Sequence, residues 1–211
     1  MLAVTDLSYA YPGRDPLFAG WAADFPAGSI TAITGPSGRG KSTLLYLLGL
    51  MLQPTAGSIT VHGEAVNDLS DAERSRLRAF QFGFVFQDAA LDSTRSVLDN
   101  VIETALYRNE DQAAARERGS ALLERFGVNV PTDARPGQVS GGQAQRIALC
   151  RALLNDPSIV LADEPTGNLD PESSMVVLHA LRDHAEAGNT VVVVTHERAV
   201  ADACHREIVL A

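Results

Sequence analysis

The sequence predicts an α/β fold with a mainly parallel sheet as its core, and three observations carry that reading. Ile159–Asp163 (IVLAD) and Val191–Thr195 (VVVVT) are continuously apolar rather than alternating, as expected of strands buried on both faces beneath helices. A third apolar run, Ile30–Thr34, leads through a glycine-rich loop into a leucine-rich run, in the order strand, loop, helix. From about Leu69 to Ala148 the composition shifts to helix formers, which marks a helical sub-lobe inserted in sheet-forming sequence.

Taken in chain order, Leu17, Ala19, Trp21, Ala23 and Phe25 alternate with smaller or polar positions and predict a half-buried strand. Pro26-Ala27-Gly28 turns the chain into Ile30–Thr34. The run KSTLLYLLGLML has no turn residue before Gln53-Pro54, so one helix is expected across it. Ser58–Val61 reads as a short strand. In the sub-lobe, Ser96-Val97-Leu98-Asp99 resembles a capping box, and AAARERGSALLERF sets Ala115, Leu122 and Phe126 on one helical face. Ile147, Cys150 and Leu154 share helical spacing after a Ser-Gly-Gly start. The chain shows no internal repeat and no low-complexity linker.

At 211 residues, with 45% hydrophobic and 20% charged, the chain is long enough for a full globular core. Its net charge of -9 argues against a protein built to coat nucleic acid, which leaves a basic footprint. Cys150 and Cys204 lack CxxC spacing and fit a reducing compartment. The N-terminus has no basic region followed by an apolar core. The longest apolar candidate, Leu44 to Leu52, falls short of the roughly 18 residues a membrane span needs. A cytoplasmic chain is expected, with any membrane role exercised through a partner.

Gly35, Pro36, Ser37, Gly38, Arg39, Gly40, Lys41, Ser42 and Thr43 form GPSGRGKST, which fits G-x-x-x-x-G-K-[ST], the phosphate-binding loop. Glycines let successive backbone N–H groups converge on an anion, and the helix start adds its positive dipole end. Lys41 is expected to reach the terminal phosphates and Ser42 to ligate magnesium. A glycine-rich turn before a helix is the plain alternative. IVLADE then ends a buried strand in two carboxylates, Asp163 for the magnesium and Glu164 to polarise a water for attack on the γ-phosphate. As an isolated pair they would read as a solvated strand end.

His196 closes VVVVTH, where parallel sheets hold ligands outside the carboxyl ends of their strands. Gln87 follows FGFVF and has an amide suited to the metal or the attacking water. Tyr11, before Pro12-Gly13, is an aromatic suited to stacking on a purine base, although in isolation it reads as an ordinary turn aromatic. Ser140, Gly141, Gly142 and Gln143 open an expected helix and make a second possible anion site. Simple N-capping by Ser140 is the ordinary alternative. A second phosphate-facing helix start points to another nucleotide or another subunit.

In this order, Tyr11, GPSGRGKST, Gln87, SGGQ, IVLADE, GNLD (Gly167–Asp170) and His196 resemble the nucleotide-binding domain of ATP-binding cassette (ABC) proteins over essentially the whole chain. The resemblance implies a single P-loop NTPase domain over 1–211 with an N-terminal antiparallel β part. Its RecA-like core would span about 1–88 and 147–211, and its inserted helical subdomain about 89–146. ATP and Mg2+ are the implied cofactors, the metal being held by Ser42, Gln87 and Asp163. Glu164 would be the general base, His196 would hold the γ-phosphate, and Lys41 would complete the catalytic set. A head-to-tail pair of copies would place Ser140–Gln143 on the partner's nucleotide, with Asp170 communicating across the interface. Gln87 would couple the helical part to an integral membrane permease subunit, which puts the chain at the inner face of the cell membrane. No nucleic acid is expected.

The phrases ADEPTGNLD and SGGQAQR are similar to the ATPases of lipoprotein release, macrolide and peptide export, and cell division. Three departures stand out. Val139 replaces the commoner leucine before SGGQ, DAALDSTRSVLDNV lacks the usual leucine-proline phrase after Gln87, and the end at Ala211 leaves little room for a regulatory tail. A soluble ABC-type ATPase of a ribosomal or DNA machine is the alternative. Single-cassette length, the short Gln87-to-signature interval and the lack of a cysteine cluster weigh against it. A cassette that uses ATP only as structural glue is countered by the joint presence of Lys41, Asp163, Glu164 and His196.

Overall fold

A computed structural model describes residues 1–167 and 169–210. The chain opens with an antiparallel pair, β1 (Leu2–Tyr9) and β2 (Phe18–Phe25). Trp21, Ala23 and Phe25 face inward as the alternation predicts, but Phe18 is buried and Ala19 exposed. The cause is a change of register: Leu7 stands opposite Trp21, whereas Tyr9 stands opposite Phe18. The extra residue on β2 exchanges the faces of everything before it.

After β3 (Ser29–Thr34) comes α1 (Lys41–Leu48), which ends four residues earlier than its leucines suggest. Gly49 caps it, and a Cβ there would lie 2.6 Å from the Phe84 ring. Leu50 then takes a φ of 58°, and its carbonyl accepts from Arg78 Nη1 at 2.7 Å. Packing against a distant strand thus overrides local helix propensity.

β4 (Ala56–Val61) and β5 (Glu64–Ala65) complete a four-stranded antiparallel sheet, ordered β2-β1-β4-β5. α2 (Asp71–Gln81) starts on a Ser70–Glu73 capping box and delivers the chain into β6 (Phe82–Val85). Three helices follow: α3 (Val97–Val101), capped by Ser96, α4 (Glu103–Tyr107), and α5 (Gln112–Arg125), capped by Asp111. The buried face of α5 is Ala115, Gly119 and Leu123, continued by Phe126, while Leu122 is half-buried. Gly119 fits because Leu98, Val101 and Ile102 of the α3 region crowd it.

α6 (Gly141–Leu153) packs on α3, α5 and β6. β7 (Ile159–Asp163), α7 (Pro171–Glu186), β8 (Thr190–Val194), α8 (Arg198–Asp202) and β9 (Arg206–Val209) finish the chain. The second sheet, β6-β7-β8-β3-β9, is parallel at every pairing.

The unbroken apolar runs now have a physical account. Ile159 and Leu161 of β7, with Val192 and Val194 of β8, enter one core beside α1 and the antiparallel sheet. Val160, Ala162, Val191 and Val193 enter a second core beneath α3, α5, α6 and α7. Burying each valine, leucine or isoleucine contributes about 1.5–3 kcal/mol, so a polar residue on either face is costly. Because the strands run parallel, β3, β6, β7 and β8 all end at one edge, where ligands of such sheets collect. Among the described residues, no helix is long and apolar enough to cross a membrane.

Candidate active site

The loop after β3 brings Gly35 to Gly40 over the sheet edge and hands the chain to α1. Gly40, the N-cap, has a φ of 87°, and a Cβ on it would lie 2.5 Å from Leu17 Cδ2, so glycine alone fits. No side chain caps the start of α1. Its first N–H groups and its positive dipole end therefore face the cleft.

Pro36, Ser37, Gly38 and Arg39 are exposed, whereas Gly35, Lys41 and Ser42 are half-buried and Thr43 is buried. Lys41 Nζ donates to the carbonyls of Gly35 (2.8 Å) and Pro36 (3.1 Å), which holds the ammonium across the loop. Tyr11 meets the same region: its hydroxyl is 3.0 Å from Thr43 Oγ1 and its ring packs edge-on against Tyr9. At 38% exposure the ring keeps a free face beside the loop.

A cleft of about 420 Å3 joins Tyr11, Lys41, Ser42, Gln87, Asp163 and Glu164. Gln87 is an exposed turn residue just beyond β6, and it shares an adjoining hollow with Ser42 and Asp163. The separate strand ends named by the sequence thus converge. Asp163 is only 7% exposed, and its Oδ1 is buried with no hydrogen-bond partner. Burial raises its carboxyl above the usual range, helped by nearby Glu164, while a bond from Ser42 and the Lys41 charge oppose the rise. An orphaned carboxylate oxygen beside a serine hydroxyl and a glutamine is the oxygen-rich setting that Mg2+ requires. The residues present therefore fit that ion.

Glu164 follows directly and adopts a φ of 45°, a left-handed backbone that costs a non-glycine residue about 1–3 kcal/mol. Its N–H donates to Val194 O (2.9 Å), which fastens the turn to β8. Its carboxylate accepts from Thr195 Oγ1 (3.2 Å) and from the His196 backbone N–H (3.4 Å). His196 Nδ1 lies 2.7 Å from Glu164 Oε1, and this carboxylate raises the imidazole above its ordinary value. Thr195 has no role in any motif that the sequence singles out. Its signal was a hydroxyl at a buried strand end next to the histidine.

Ser140, Gly141, Gly142 and Gln143 are not among the residues lining that cleft. Within this chain they form a capping box at the start of α6: Ser140 Oγ accepts from Gln143 N (3.2 Å), and Gln143 Oε1 accepts from Ser140 N (2.8 Å). Ser140 and Gly141 are exposed. Gly142 abuts the start of α7, where a Cβ would lie 3.0 Å from Ser173 Oγ. Asp170 caps α7, accepting from Ser173 N (2.9 Å) and Ser173 Oγ (2.7 Å), and these bonds hold its carboxyl below the usual range. Of the GNLD phrase, Asn168 lies outside the described residues.

Sequence and structure comparisons relate the chain to known proteins. The profile of the family described as "ABC transporter" matches residues 19–167. The lipoprotein-releasing system ATP-binding protein LolD of Myxococcus xanthus (strain DK1622) is 42% identical over 199 residues, which is 94% of this chain and 89% of that protein. The macrolide export ATP-binding/permease protein MacB of Burkholderia pseudomallei (strain K96243) is 45% identical over 182 residues, 86% of this chain. The match covers only 28% of that relative's length. The solved dimeric structure of a bacterial ABC transporter cassette superposes with a TM-score of 0.92 at 34% identity, covering 100% of this chain and 94% of the other. A dimeric post-hydrolysis state of that cassette bound to ADP and Pi gives 0.91 at 33%.

Proposed function

The chain belongs to the ABC transporter family, and on that premise we propose that it binds and hydrolyses ATP as one subunit of a transporter or membrane-remodelling complex. It does so as a head-to-tail homodimer that drives a separate integral membrane permease. The observation that carries the reading is the meeting of an uncapped helix start, Lys41 and the Glu164 carboxylate in one cleft.

The α1 N-terminus and the Lys41 ammonium bind the phosphates, and the Tyr11 ring receives the base. Ser42, Asp163 and Gln87 would hold Mg2+, which would supply positive charge to neutralise the phosphate oxygens. Glu164 accepts the proton of a water as its oxygen bonds to the γ-phosphorus and the bond to the bridging oxygen of ADP breaks. Thr195 and His196 aim the Glu164 carboxylate, and His196 holds the γ-phosphate in place. The products are ADP and inorganic phosphate.

The position of Ser140–Gln143 outside their own cleft supports the homodimer, because the second exposed helix start is then supplied to the nucleotide of the other copy. Asp170 lies beside Gly142 and would then belong to the same interface. A permease partner is supported by a second hollow, between α2, β6 and α4, with exposed Phe80 and Tyr107 on its wall and Arg76 and Arg108 over the Phe80 ring. Such a partner would hold the chain at the inner face of the membrane.

The test is hydrolysis of ATP by the purified chain, with and without the membrane protein that copurifies from native cells. Release of phosphate that requires Mg2+ and rises with the partner is the expected result. An inert preparation that also captures no membrane protein overturns the reading.

A further inference from the structure

Glu197 stands at the N-cap of α8, yet its side chain makes no cap bond there. Its Oε1 accepts instead from Thr166 Oγ1 (3.3 Å), which lies in the turn after β7 and is only 2% exposed. A carboxylate at a helix start ordinarily takes the free N–H groups of the first turn. Here it turns away from them toward the other strand end. A hydroxyl buried as deeply as that of Thr166 needs a partner, and Glu197 supplies it.

The backbone of Glu197 is used as well. Its N–H donates to Thr195 Oγ1 (3.0 Å), and the same hydroxyl donates to Glu164 Oε2 (3.2 Å). With one lone pair of Thr195 taken by the Glu197 N–H, the hydroxyl proton is left to point at Glu164. The two glutamates thus cross the same gap in opposite senses. Glu164, after β7, accepts from Thr195 and His196, after β8, whereas Glu197, after β8, accepts from Thr166, after β7. The turn after β7 is tight: Gly167 N donates to Glu164 O (3.0 Å), and a Cβ on Gly167 would lie 3.3 Å from Glu164 Cβ. Thr166 sits two residues beyond Glu164 with its φ of 45°, so the bond to Glu197 closes a strained turn from its far side.

We propose that Thr166 and Glu197 are positioning residues for hydrolysis: their hydrogen bond locks the turn after β7 to the turn after β8 and so holds the Glu164 carboxylate and the His196 ring in register. The proposal rests on the reading of Glu164 as the base. Neither residue is among those lining the cleft, so the clasp acts on the rate of the chemical step and leaves nucleotide binding alone. A misplacement of about 1 Å at a reacting group can cost on the order of 10²-fold. A clasp between the two turns is where such a shift is prevented.

The experiment measures ATP turnover, ATP affinity by calorimetry and amide hydrogen exchange on the full chain, with its membrane partner where turnover needs it, for Thr166→Val, Thr166→Ser, Glu197→Ala and Glu197→Gln. Thr166→Val keeps the shape but not the hydroxyl, and it should lower kcat roughly ten-fold, the scale of one lost hydrogen bond to a charged group, with ATP affinity unchanged. Exchange at His196 and Glu197 should quicken while the strand amides of β7 and β8 stay as in the parent protein. Thr166→Ser retains a hydroxyl donor and Glu197→Gln a carbonyl acceptor, so each should recover most of the loss. Adding Thr166→Val to Glu164→Gln should lower turnover no further, because both changes act through one carboxylate. Parental kcat in both Thr166→Val and Glu197→Ala overturns the proposal. So does a fall in kcat matched by a fall in ATP affinity or by faster exchange throughout β7 and β8, because that marks a purely structural role. Should Thr166→Val not fold, Glu197→Ala is read by the same criteria. If Glu164→Gln turns over like the parent protein, the base reading fails instead; exchange at His196 and Glu197 still decides whether the clasp joins the two turns, and unchanged exchange there overturns it.

Discussion

His196 Nδ1 and Glu164 Oε1 lie 2.7 Å apart, joining the turns that follow two neighbouring strands. The pairing raises the imidazole above its ordinary value of 6.5, chiefly through that bond and the carboxylate charge. For a group whose folded value is raised, the stabilisation is fully present below the unfolded value and fades as pH rises through the folded one. The pair thus supports the fold below about pH 6.5 and loosens above it, by a small amount because the histidine side chain is 66% exposed. An NMR titration should show the His196 transition moving down toward 6.5 in Glu164→Gln. An unmoved transition would mean that the contact does not persist in solution.

Glu164→Gln keeps the shape of the side chain and its room to accept from Thr195, but it cannot take a proton from water. Turnover should fall by about 10²–10⁴, the scale of general base catalysis, with ATP affinity retained. Because hydrolysis then no longer ends the ATP-bound state, light scattering with ATP should report twice the monomer mass. Turnover close to that of the parent protein would remove Glu164 from the role of base.

Asp163→Asn should separate stability from function. Burial raises the Asp163 carboxyl above its ordinary 3.8, so its ionised form weakens the fold at neutral pH, and stability recovers as pH falls through the raised value. An amide of the same shape removes the buried charge. The expected result is a higher Tm without nucleotide, at about 2–4 °C for each kcal/mol in a chain of this size, together with loss of the gain in ATP affinity that Mg2+ confers. A lower Tm with Mg2+ dependence intact would contradict the account of the orphaned Oδ1.

The parts legible in the sequence are those that local pattern dictates. GPSGRGKST needs only its glycines and the strand and helix on either side. Ile159–Asp163 and Val191–Thr195 announce double-sided burial by having no polar face. The end of α1 at Leu48 was not legible, because it depends on Phe84 and Leu161 packing against Gly49. The exposure of Ala19 is not legible either, because an irregular pairing with β1 shifts the face by one residue. The pairing of Thr166 with Glu197 gives no signal, since the two lie 31 residues apart in the chain. The two roles of Ser140 divide along the same line. Capping is local and visible in one copy, whereas the contact proposed with a nucleotide would need a second copy.

Lys41→Ala tests the phosphate loop itself. The ammonium donates to Gly35 O and Pro36 O, so it is already held at the mouth of the loop, beside the uncapped start of α1. An anion arriving there gains a charge-assisted hydrogen bond worth about 1.5–3 kcal/mol, so its loss should weaken ATP binding by about 10–100-fold in calorimetry. Pro36 is exposed and Gly35 half-buried, so water can replace the lysine at both carbonyls. The Tm without nucleotide should therefore move by only about 2 °C. Lys41→Arg should not restore affinity, because a planar guanidinium is bulkier than the point charge that this narrow loop accommodates. Full affinity in Lys41→Ala would show that the backbone N–H groups and the helix dipole hold the phosphates by themselves. A large fall in Tm would show instead that Lys41 serves the fold.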